Sequence, residues 1–375
     1  MEININKYIL LEALQLVVNL SPKATSEPII NNVLIETDEN GSGIQLKATN
    51  YENEFLGKFE ATVTSPGKIC VNTSKLYNLV REFRGSEISL TSTPQNWVFL
   101  YCENSKVKLP GVDPEHFPVI EFKELKNRFQ LPGKLFVTAI DRTYFAIGDN
   151  ESRKNLMGLN LAIKSPTLIN WTGADSFRIS QFMTELESPI ESDGNIIIPK
   201  KSLQEIKRII DFGEEIIDLS FDENTFQIST RQVNFKTRLI EAEFPNLDGL
   251  LSNVGPYQLA VPKEELMNAV RILHTITEGE PNSVLKLTAQ PEKVLLESQK
   301  LEFGEGNDEI ECDFSGEQMS IGLNIRFLME SLQSFESSDD DRLIINISDQ
   351  EAPFMVQCEG WKDFKTILMP VRIKW

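Results

Sequence analysis

The feature that most limits what this chain can fold into is a long internal repeat. Three kinds of segment each occur three times in 375 residues, at intervals of roughly 125. The first is amphipathic, with apolar residues at helical spacing: INKYILLEALQLVVNL near the start, GKLFVTAIDRTYFAIG from Gly133 and PKEELMNAVRILHTI from Pro262. In the third copy Leu266, Ala269, Ile272, Leu273 and Ile276 are expected to share one helix face, with Pro262 in the tolerant first turn. The second kind is a short strand running into another helix: GKICVNTSKLYNLVREF from Gly67, GNIIIPKKSLQEIKRII from Gly194 and, more loosely, EQMSIGLNIRFLMESLQSF from Glu317. The third is a closing strand, found in KVKLPGVDPEHFPVIEF, NFKTRLIEAEFPNLDGLL and DFKTILMPVRIKW.

Solenoid units run to ~20 to 50 residues, so a repeat this long is a whole domain. Between the markers lie short alternating or β-branched runs such as VLIET, NWVFLYC, TFQIST and LIINIS, separated by turn signals such as residues 38–41. Helices are too few for repeated βαβ crossovers, and antiparallel pairing is expected. The sequence therefore reads as α+β: three tandem domains, residues 1–124, 125–252 and 253–375, each with two helices and about eight strands.

Composition narrows the function classes. Lys and Arg number 37 against 56 Asp and Glu, a net charge of −19. A protein coated in nucleic acid needs the opposite balance, although a local basic lining is compatible with an acidic exterior. Positive charge does gather on helical segments, at Lys75, Arg81 and Arg84 in one and at Lys200, Lys201, Lys207 and Arg208 in another. The four cysteines, Cys70, Cys102, Cys312 and Cys358, are scattered and read as buried thiols in a reducing compartment. The two histidines, His116 and His274, leave no His-rich metal site, and no P-loop, GxGxxG, GxSxG or HExxH is present. Neither a metal nor a cofactor is expected. No apolar run reaches the ~20 residues of a membrane span, and MEININKYIL does not read as an export signal, so the cytoplasm is the expected location and no membrane partner is implied.

Four segments, in their order and spacing, carry a resemblance that covers the whole chain: NLMGLNL (residues 155–161), EFPNLDGLL (243–251), IGLNIRFL (321–328) and TILMPVRI (366–373). With them the chain resembles the bacterial DNA polymerase III β subunit family of sliding clamps. That resemblance implies a head-to-tail homodimer ring of six similar domains, with helices lining the hole and sheets forming the rim. It implies sequence-independent encirclement of double-stranded DNA and a non-catalytic role, conferring processivity on a DNA-directed DNA polymerase. The alternatives are a carboxylate-dependent enzyme, disfavoured by the missing motifs, and a β-rich scaffold with no DNA role, disfavoured by the charged helices. One departure is visible: where many members read TDGHRLA, this chain reads ADSFRIS, keeping Asp175 and Arg178 but placing Ser176 and Phe177 at the glycine and histidine.

The resemblance also assigns roles to residues. A groove for short peptides from polymerases, the clamp loader and repair proteins would be lined by Leu156, Ala174, Arg178, Ile179, Pro245 and Leu250 on one side. Asn324, Phe327, Ile367, Met369, Pro370, Val371 and Arg372 would form the other. Pro370 has no N–H, so strand pairing is expected to lapse there and leave apolar side chains partly uncovered. DNA would be faced by the seven helical cations named above, by Arg153 and Lys154 in GDNESRKN, and by Lys23 in SPKATSEP. Ile272 and Ile276 are the candidates for part of the dimer contact.

Overall fold

The computed structural model describes residues 1–22, 27–38, 40–187, 189–211, 216–252, 255–277, 283–298, 304–335 and 342–373. The six expected helices are present: α1 (Lys7–Val17), α2 (Thr73–Glu82), α3 (Gly133–Thr143), α4 (Lys200–Asp211) and, after a short α5 (Asp248–Ser252), α6 (Lys263–Ile276) and α7 (Ile325–Gln333). Each long helix follows directly on a strand, and the junction residue accounts for the switch. Asn6, Asn72 and Asn324 cap α1, α2 and α7, each side chain accepting a first-turn backbone N–H at 2.9, 3.0 and 3.1 Å. Strands Asn127–Pro132, Asn195–Pro199 and Tyr257–Pro262 instead end on proline, immediately before α3, α4 and α6. Proline has no N–H to leave unpaired, and its fixed φ suits the entry to a helix. Pro262 thus caps α6 and does not sit in its first turn.

The apolar face of α6 is narrower than its spacing suggested. Leu266, Ala269 and Leu273 are buried, but Ile272 is 57% exposed. Six residues beyond Leu266, it lies roughly 240° round the axis and points away from the core.

Strand pairing is antiparallel throughout the described residues, as the short connections require. The chain forms two compact units, Met1–Val137 with Lys201–Leu239 and Thr138–Lys200 with Ile240–Trp375. In the first unit, thirteen strands make one sheet that runs from the middle repeat into the first. The join is the pair Val233–Arg238 and Asn53–Glu60, where buried Phe235 lies opposite buried Phe55. Against this unit's core α1 buries Leu10, Leu14 and Val17, and its neighbour α2 buries Leu76 and Val80.

The second unit holds a nine-stranded and a four-stranded sheet. Its larger sheet joins the middle repeat to the third through the last strand of the chain, Phe364–Leu368, which pairs with Arg178–Glu185. Helices α6 and α7 pack side by side in this unit. All four cysteines are buried free thiols, and burial pushes the Cys70 thiol up to about 12.

Candidate functional site

On one face of the nine-stranded sheet, register sets four apolar side chains in a row across the strands. Ala174 lies opposite Ile179, Ile179 opposite Ile367, and Ile367 opposite Met355. Leu156 and Leu251 complete a buried cluster with these four, and Phe244 and Leu247 pack against it. Leu156, Ala174, Ile179 and Ile367, expected together from sequence, are therefore brought together. Leu251, Met355, Phe244 and Leu247 were not anticipated, although the segment EFPNLDGLL that supplies three of them had been singled out. Lys365 ties α5 down, its ammonium donating to the Leu251 carbonyl at 3.1 Å, and burial holds that lysine below its ordinary pKa. Leu250, next to Leu251 on α5, is 42% exposed at the rim, and Pro245 lies on the segment that leads into the helix.

A tight turn after Ala174 forms a second part of the rim. Asp175 Oδ1 accepts from the backbone N–H of Phe177 at 2.7 Å and of Arg178 at 2.9 Å, and Oδ2 accepts from Arg178 Nε at 3.0 Å. The Arg178 guanidinium also pairs with Glu330 on α7 and lies 4.3 Å from the Phe327 ring centroid. Expected as a wall residue, Arg178 is a buried tie between the turn and α7. The Phe177 ring stacks on Phe327, with centroids 6.1 Å apart and planes inclined by 28°, yet the residue is 56% exposed.

The chain's last segment supplies the third part. Strand Phe364–Leu368 stops short of Pro370, as the missing N–H predicts. The flanking residues then bond in two directions, Met369 N–H to the Phe177 carbonyl and Val371 N–H to the Gly322 carbonyl, both at 2.8 Å. Gly322 makes this seat possible, since a Cβ there would lie 2.1 Å from the Val371 oxygen. Met369 and Val371 remain 41% and 37% exposed, and Arg372 lies 3.7 Å from Glu351 on the surface. Asn324 serves chiefly as the cap of α7.

The basic residues fall into two groups. Lys75, Arg84, Arg153, Lys154 and Lys201 are exposed, as is Arg81, which lies 3.1 Å from Glu82. Lys200, by contrast, donates to the Ile147 carbonyl at 2.7 Å and to both Asp149 oxygens at 3.0 Å. Arg208 donates to both oxygens of Glu205 at 2.7 Å, and burial nonetheless raises that carboxyl above its ordinary value. Two of the four charges expected along α4 are thus engaged inside the chain, and Lys207 is half-buried. Lys23 lies outside the described residues.

Comparison with known proteins bears on all three repeats. Residues 1–121, 130–246 and 256–372 match the N-terminal, central and C-terminal domains of the DNA polymerase III beta subunit. The chain belongs to that family. It is similar to the beta sliding clamp of Staphylococcus aureus, 25% identical over 364 residues, covering 94% of each chain. It also resembles that of Bacillus subtilis, 23% identical over 380 residues, covering 99% of this chain and 100% of the other. Among solved structures, the Bacillus subtilis sliding clamp superposes with a TM-score of 0.92 at 22% identity, each chain covered in full. A Bartonella birtlesii clamp bound to griselimycin does so with 0.92 at 23%, again over the full length of both. The fold is therefore that of three tandem clamp domains built of helices and antiparallel sheets.

Proposed function

We propose that this chain is a sliding clamp, a ring that encircles duplex DNA without reading its sequence and tethers the replicative polymerase to its template. Family membership in all three repeats carries the reading. The domains are taken as residues 1–124, 125–252 and 253–375, so two chains supply the six of a ring. The work is topological: the clamp needs no catalytic residue, metal or cofactor of its own. Exposed cations on α2 and α4, with Arg153 and Lys154, would meet phosphates weakly enough to slide.

Two open sheet edges favour head-to-tail dimerisation. Strand Ser105–Val112 pairs from Ser105 to Pro110 with Trp97–Cys102, whereas on its other side, among the described residues, only Gly111 and Val112 are paired. Among the described residues, strand Asn307–Glu311 pairs with one neighbour, Lys293–Ser298. Such edges accept a strand from another chain. Lys106 and Lys108 on the first are opposite in sign to Asp308, Glu309 and Glu311 on the second. Exposed Ile272 and the half-buried Ile276 lie on α6 of the third domain, and a Cβ on Gly306, beside the second edge, would meet Ile276 at 2.6 Å.

The apolar row and its rim of Phe177, Leu250, Met369 and Val371 would take the Leu and Phe anchors of partner peptides from polymerases, the clamp loader and repair proteins. Each anchor contributes roughly 1.5–3 kcal/mol by the area it buries. The test is retention on DNA: clamp loaded on a nicked circular duplex should stay bound through gel filtration and be lost when the circle is cut. Equal retention on linear and circular DNA would replace encirclement with ordinary surface binding.

A further inference from the structure

Among the exposed apolar residues at the groove rim, Phe177 differs from the rest in kind. Leu250, Met369 and Val371 are aliphatic and can repack, whereas Phe177 is a rigid ring with one face covered and more than half its surface in solvent. Its backbone is fixed from both sides, the N–H held by Asp175 at 2.7 Å and the carbonyl accepting from Met369 at 2.8 Å. The ring it leans on is fixed too. Phe327 follows the Asn324 cap of α7 and lies beside the Arg178 guanidinium, itself paired to Asp175 and Glu330. A flat apolar surface is thus held in place before any ligand arrives, so little ordering entropy is lost when something packs on it.

We propose that Phe177 selects the peptides this groove accepts, favouring those that place an aromatic side chain, in preference to an aliphatic one, against its open face. The inference rests on the groove reading above. Two offset rings gain an interaction beyond the area they bury, whereas an aliphatic anchor gains only the area. The chemistry of the occupant follows: a short linear peptide with a planar apolar residue at the anchor nearest the Asp175 turn.

Two synthetic peptides identical except for that anchor, phenylalanine in one and leucine in the other, test it by calorimetry on the full-length protein. Wild type should prefer the phenylalanine peptide by roughly two- to tenfold. In Phe177→Leu the ratio should fall to near one, and in Phe177→Trp it should persist, with circular dichroism showing both variants folded. A ratio unchanged in Phe177→Leu, or no preference in wild type, overturns the role of Phe177 while leaving the groove standing. Failure of wild type to bind either peptide overturns the groove reading itself and this inference with it.

Discussion

Arg178 and Phe177 differ in how far sequence could have foretold them. The segment ADSFRIS marks both, and the structure sets them side by side in one turn, Arg178 buried and Phe177 exposed. What no local pattern carries is the partner of each: Glu330 lies 152 positions from Arg178, and the ring that Phe177 leans on is on the same distant helix. Charge pairs also govern response to acid, and Glu36 is the clear case, with Lys47 only 11 positions away. Burial alone would raise its carboxyl, but Lys47 at 2.9 Å and Lys68 at 3.2 Å outweigh it and hold the group below its ordinary value. A lowered carboxyl contributes stability that is present above its unfolded pKa, about 4.3, and lost as pH falls through the folded value. Glu36→Gln should therefore unfold at lower urea than wild type at pH 7, and the gap should close in acid. Midpoints that differ equally at pH 7 and pH 3 would assign the cost to packing instead of charge.

Helix entry is the best-written element of this sequence. Every long helix begins where a strand meets asparagine or proline, so the six helices could be placed from composition and periodicity alone. Ile272 could not, because its position on the exposed side of α6 depends on an angle that a loose apolar count does not resolve. The basic stripe of α4 shows a related limit: sequence counts charges but not the carbonyls and carboxylates that Lys200 and Arg208 engage. The difference is measurable. Reversing Lys75, Arg84 and Lys201 to Glu should lower DNA retention and leave stability within about 0.5 kcal/mol of wild type, since exposed charges contribute little. Lys200→Glu should behave differently, costing stability because it sets a carboxylate against the Ile147 carbonyl and Asp149. Thermal denaturation alongside loading on circular DNA separates the two effects, and a destabilised triple variant would show those cations to be structural.

At the scale of the molecule, the repeat was legible because each domain restates the same strand–helix grammar, but the way sheets pass from one repeat to the next was not. Nothing local in FKTRLI or FKTILM says which strand each will join. The open edges carry the largest-scale prediction. Lys106→Glu with Lys108→Glu should shift the protein from dimer to monomer in sedimentation at micromolar concentration, and mixing with a chain carrying Glu309→Lys and Glu311→Lys should restore pairing. A dimer indifferent to both changes would place the contact elsewhere. The joining strands also bear on how the protein is made. Because Phe364–Leu368 lies far downstream of Arg178–Glu185, a growing chain carries that earlier strand with one side unsatisfied until its partner has been made. The stretch that ends as the floor of the groove spends that interval as an exposed adhesive edge, and a product cut short before residue 364 keeps the edge open to strands of other chains.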